Sequence, residues 1–118
     1  MTTFGKNMRI SVAKEHRALA RKLYAEVLGC TIKTPKDDLD QFIFADGFSL
    51  GAFFVDASAT IAAKDQMNAP WIEVLVADPA ATRKQLAAIG VEPFPYVDKS
   101  HDYYAPPCGP VFRVARQK

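Results

Sequence analysis

The chain has 118 residues, of which 49% are hydrophobic and 24% charged, with a net charge of +2. That length lets one domain bury a core without disulfides or metals. Lys and Arg are scattered rather than clustered, which argues against a nucleic-acid partner, and no apolar run approaches the ~18 residues of a membrane span.

Met1–Asn7 is polar and carries no signal-like segment, so the expected setting is cytoplasmic. Cys30 and Cys108 fit no metal spacing and are expected to be free thiols. Cys108 stands in the turn Pro106-Pro107-Cys108-Gly109-Pro110, which could expose it.

Met8-Arg9-Ile10-Ser11-Val12 alternates apolar and polar, the period of a half-buried strand. Leu19, Leu23 and Val27 recur every four residues, with Ala20 and Tyr24 beside them and Arg17, Arg21, Lys22 and Glu26 flanking. This predicts an amphipathic helix from about Glu15 to Leu28, stopped by Gly29. A short strand is expected near Cys30–Thr34, a polar turn at Pro35–Asp38 and a second strand over Gln41–Ala45. Asp46-Gly47 marks a hairpin into a third strand, Phe48–Val55.

Ala57–Asn68 lacks a pattern and reads as a connector. Trp71–Val76 is then an apolar strand, and Asp78 before Pro79 is a capped helix start. That helix should run to Ile89 and stop at Gly90. Strands are expected at Val91–Phe94, His101–Ala105 and Val111–Ala115.

The order strand–helix–strand–strand–strand thus occurs twice. Ala20…Leu28-Gly29 matches Ala81…Ile89-Gly90 at an offset of 61 residues, and Asp46-Gly47 matches Cys108-Gly109 at an offset of 62. Near-constant spacing of helix ends and turns argues for an internal duplication. The modules span about residues 5–56 and 70–117, with 57–69 as connector, in a single domain over 1–118. The expected fold class is α+β: two βαβββ modules forming a curved, cup-like mixed sheet with helices outside. A cup of that kind suits a small ligand.

Three stretches resemble one family. They are Ala20-x-x-Leu23-Tyr24-x-x-x-Leu28-Gly29, then Trp71-Ile72-Glu73-Val74-Leu75-Val76-x-Asp78, then Tyr103-Tyr104-Ala105-Pro106-Pro107-Cys108-Gly109-Pro110-Val111-Phe112-Arg113-Val114. In that order they resemble the helix-one signature, the second-module strand and the closing hairpin of the glyoxalase/bleomycin-resistance/dioxygenase (vicinal oxygen chelate) superfamily. The resemblance implies one divalent metal on the concave sheet face of its enzymes, held by His, Gln or Glu from four strands and polarising two neighbouring substrate oxygens.

Carried onto this chain, those four positions fall on Asn7 (or Arg9, if the loop before the helix is counted differently), Gly51, Trp71 and Arg113. None suits a divalent cation, and a guanidinium repels one. No metal and no cofactor is therefore expected. Strand alternation places Asn7, Arg9, Ser11, Phe53, Trp71, Glu73 and Arg113 toward the cup, with Tyr103 and Tyr104 as further hydrogen-bonding groups.

Such a lining suits an anionic or planar aromatic small molecule. The expected function is a metal-free small-molecule binding protein. The alternative is a metal-dependent lyase, isomerase or dioxygenase with displaced ligands, and a third class is an interaction module. The resemblance also implies a homodimer. A blander arrangement has Arg9 and Arg113 simply pairing with Glu73 in a closed polar network. His101-Asp102 looks like a base with its carboxylate, but adjacent residues on an extended segment point opposite ways, so an exposed loop histidine is expected instead.

Overall fold

The computed structural model describes all 118 residues. It divides into two compact units, Met1–Thr60 and Ile61–Lys118. Each is a four-stranded mixed sheet with a helix. No helix is long and apolar enough to cross a membrane.

In unit one the sheet order is β1-β4-β3-β2. The strands are β1 (Asn7–Ala13), β2 (Thr31–Lys36), β3 (Leu39–Ile43) and β4 (Ser49–Val55). β1 runs parallel to β4, and the other pairs are antiparallel. The expected helix is present but wound three ways: a 3-10 turn at Lys14–His16, an α segment α1 at Arg17–Arg21 and a π-wound stretch at Lys22–Val27. It ends at Gly29, whose φ of 77° is open to glycine at little cost. Ala20, Leu23 and Tyr24 are its buried face, and the Tyr24 ring meets Phe42 of β3 at 4.8 Å.

The polar turn after β2 is shorter than its composition suggests. Pro35 and Lys36 belong to the strand, and only Asp37-Asp38 turns. β2 is an edge strand with a register shift between Lys33 and Lys36, where proline costs no ladder bond. β3 consequently begins at Leu39 rather than Gln41, which brings Asp40 into the sheet.

Unit two repeats the plan in the order β5-β8-β7-β6. β5 is Trp71–Val76, β6 Pro93–Phe94, β7 Asp102–Tyr104 and β8 Val111–Arg116. β5 parallels β8 as β1 parallels β4. Between β5 and β6 lies α2 (Pro79–Ala88), begun by the Asp78 carboxylate accepting from the Ala80 and Ala81 N–H groups. Thr82 and Leu86 are its buried residues. The connector holds 3-10 turns at Ala57–Ala59 and Ala63–Asn68.

The duplication extends to polar detail. Asp40 pairs in register with Ala52, and Asp102, 62 positions later, pairs with Val114. Both carboxylates meet arginines of their own unit's helix. Asp40 is wholly buried and takes Arg17 at 2.9 Å and Arg21 at 2.8 Å, while Asp102 faces Arg83 at 3.6 Å.

The turn at Cys108 corrects one expectation. Its thiol is fully buried, and burial pushes its pKa up to about 12. A turn crowded with prolines folds its small apolar side chain inward.

Candidate functional site

A strand's period of two gives each sheet a helix-covered face and an outer face. In unit two the register sets one row of outer-face residues across four strands: Glu73 opposite Arg113, Arg113 opposite Tyr103, Tyr103 opposite Phe94. Trp71 lies two residues from Glu73 on β5, on the same face and 39% exposed.

These groups are tied together. Arg113 Nε donates to Glu73 Oε2 at 2.7 Å, and its other arm reaches the Tyr103 hydroxyl at 3.2 Å and Asp98 Oδ2 at 3.3 Å. The guanidinium lies 4.9 Å from the centre of the Trp71 ring, and Trp71 meets Tyr103 edge-on at 5.5 Å. Tyr96 packs on the other side of Tyr103 at 4.4 Å. The result is an aromatic platform with a fixed polar centre.

Asp98 is the hub that the sequence did not disclose. It accepts from Tyr103 Oη at 2.8 Å, from the Ser100 hydroxyl and backbone N–H, and contacts His101 Nδ1 at 3.1 Å. The bonds from Ser100, and then from Tyr103, hold its carboxyl well below the usual carboxylate range. Burial, and then the bond to Asp98, raise the Tyr103 phenol. Bonds to Tyr103 and Glu73 raise Arg113 further.

Arg113 therefore meets two carboxylates with one positive charge. The anion-pairing role expected for it is taken internally, as in the closed-network arrangement, with Asp98 added. His101 finds its carboxylate in Asp98, not in the adjacent Asp102, which points to the helix side. Tyr104 also leaves the outer face: it is fully buried, stacks on Phe112 at 5.1 Å, and its phenol is pushed up to about 12 by burial and then by Asp102.

In unit one the equivalent row is Arg9, Gly51, Gln41 and Lys33. Arg9 is exposed and lies 4.7 Å over the Phe53 ring, with no carboxylate partner. Phe54, the neighbour of Phe53, is buried under the Arg17 guanidinium at 4.6 Å. Asn7 is exposed at the start of β1, opposite Ser49. Thus Arg9 and Phe53 are brought together, as are Trp71, Glu73, Tyr103 and Arg113.

The four metal positions implied by the resemblance remain an amide, a glycine, an indole and a guanidinium. Asn7, Gly51, Trp71 and Arg113 stand opposite Ser49, Arg9, Val111 and Glu73 respectively. No group of three or more His, Cys, Asp or Glu side chains is placed to hold a metal ion. The donor set does not fit one.

No protein-family model matches the sequence, and no curated protein matches it. Solved structures do match over nearly the whole chain. A glyoxalase-related enzyme from Fulvimarina pelagi superposes with a TM-score of 0.69 at 14% identity, covering 98% of this chain and 89% of its own. The trypanothione-dependent glyoxalase I of Leishmania major gives 0.69 at 17% identity, covering 98% and 87%. This chain has the glyoxalase fold. A fosfomycin resistance protein from Mesorhizobium loti shares the glyoxalase fold with it, at a TM-score of 0.68 and 11% identity over 100% and 95% of the two chains. At such identities the likeness reaches the glyoxalase scaffold and stops short of chemistry.

Proposed function

We propose that this chain is a metal-free small-molecule binding protein of the glyoxalase/bleomycin-resistance type, with a planar aromatic ligand. One observation carries the reading. The outer face of the unit-two sheet, instead of metal donors, presents exposed Trp71 beside a guanidinium fixed by Glu73, Asp98 and Tyr103. A rigid indole-and-guanidinium surface favours a flat apolar guest and loses little entropy on binding one. The anionic preference expected from the sequence now rests on Arg9, whose guanidinium is held only by the Phe53 ring. Ligand contacts in unit two are assigned to Trp71 and Arg113, with Glu73 and the buried Tyr103 as positioning residues; Arg9 and Phe53, with Asn7 as a rim hydrogen-bonding group, are a separate candidate surface on unit one.

Trp71 is the sole tryptophan, so intrinsic fluorescence reads this surface directly. A panel of aromatic acids, neutral aromatics and phosphorylated compounds is screened by thermal shift and by quenching. Planar compounds should raise the melting temperature and quench Trp71. Arg113→Ala should weaken them several-fold by freeing the ring and Tyr103. No stabilising compound, together with an Arg113→Ala protein indistinguishable from wild type, overturns the reading. One equivalent of zinc, iron, manganese or nickel in protein purified without chelator favours a metal-dependent lyase, isomerase or dioxygenase instead. The homodimer implied by the resemblance is a separate proposal, read by sedimentation.

A further inference from the structure

A second feature of unit two shares Asp98 with the Trp71 surface but has its own lining. An open depression of about 370 Å³ is lined by Pro79, Lys99, Ser100, His101, Asp102, Val114, Ala115 and Arg116. Its charges do not cancel. Asp102 is faced by Arg83 at 3.6 Å, whereas Lys99 and Arg116 have no carboxylate partner. Arg116 donates one bond, to the Ala77 carbonyl at 3.0 Å, and keeps the rest of its fork.

His101 adds a directed group. Its Nδ1 lies 3.1 Å from Asp98 Oδ2 and 2.8 Å from Ser100 Oγ. Ser100 gives its own proton to Asp98 Oδ1, so both neighbours of Nδ1 accept. The network therefore assigns the proton to Nδ1 and leaves Nε2 as the open nitrogen. Nε2 has no protein partner, although a neighbouring carboxylate fixes the ring. A ring fixed on one nitrogen and free on the other is the arrangement by which a histidine meets a ligand.

We propose that this depression is a second small-molecule site, for a phosphate-bearing ligand, with His101 Nε2 bonding one phosphate oxygen and Lys99 and Arg116 supplying charge. A phosphate meets Nε2 through one oxygen, while its remaining anionic oxygens face the two cations. Asp98 is a positioning residue: it sets which nitrogen is available.

The probe is inorganic phosphate, titrated into the full chain while the imidazole nitrogens are followed by long-range 15N–1H NMR. The two histidines make this internally controlled. The His101 Nε2 signal should move saturably while His16 stays put, and Lys99→Ala or Arg116→Ala should each weaken binding about tenfold, as expected for one charge-assisted bond. The lining holds none of Trp71, Tyr103 and Arg113, so this site is tested separately from the aromatic one. Parallel drift of both histidines without saturation, or a titration unchanged by both variants, overturns the proposal. Failure of the aromatic screen leaves this result standing, and the reverse also holds.

Discussion

Replacing Asp40 by alanine removes the only buried charged side chain in the molecule. Its carboxylate, with no solvent exposure, takes five bonds: two from Arg17 at 3.3 and 2.9 Å, two from Arg21 at 2.8 and 3.1 Å, and one from Thr34 at 2.8 Å. Burial alone would raise its pKa, but the bonds from Arg21, Arg17 and Thr34 win and hold it well below the usual carboxylate range. Truncating one partner of a buried ion pair costs about 3–5 kcal/mol when the other charge is stranded. Here Arg17 and Arg21 keep 28% and 45% of their side-chain surface in water and can rehydrate. The loss should therefore be smaller, about 2–3 kcal/mol.

Urea unfolding followed by far-UV circular dichroism measures that loss. With a slope of about 2 kcal/mol per molar, the midpoint should fall by about 1–1.5 M near neutral pH. A carboxylate with a depressed folded pKa contributes fully above its unfolded value of about 3.9 and loses that contribution as pH falls toward the folded one. The gap between wild type and Asp40→Ala should thus be widest near neutrality and narrow below about pH 3.5. A midpoint change under about 0.3 M at neutral pH, or a gap that grows on acidification, would refute the reasoning.

Both thiols should be silent in the native chain. Burial raises Cys30 and Cys108 to about 12, so a chromogenic disulfide reagent at mildly alkaline pH should find no thiol until urea unfolds the protein; fast native labelling contradicts their placement. Gly29 and Gly90 end the two helices with φ of 77° and 82°, and a Cβ at either meets nothing within 4 Å. Alanine there should cost about 1–2 kcal/mol each, from backbone conformation alone, and neutral variants would show that the turns relax.

The elements were largely legible because their signals are local. Strand alternation, helix spacing, Asp78-Pro79, Asp46-Gly47 and the glycines at helix ends act within a few residues of where they stand. Alternation also carried Glu73 and Arg113 to one face, and the structure pairs them at 2.7 Å.

What failed depended on register or on loop path. Starting β3 two residues late left Asp40 outside the strand, although the 62-residue repeat that aligned Gly47 with Gly109 also aligns Asp40 with Asp102. Asp98 gave no periodic signal at all. It lies in an irregular segment before β7, and only the folded path of that segment brings it to Arg113, Tyr103 and His101.

By itself the sequence determined a twice-used strand-and-helix unit, because residue type and short-range spacing suffice for it. Tertiary structure alone decided that Arg113 is neutralised by Asp98 as well as Glu73, that Cys108 turns inward and that His101 answers to Asp98. Charge pairing and burial are set by distances through space, and those distances join residues that neither helical nor strand periodicity relates.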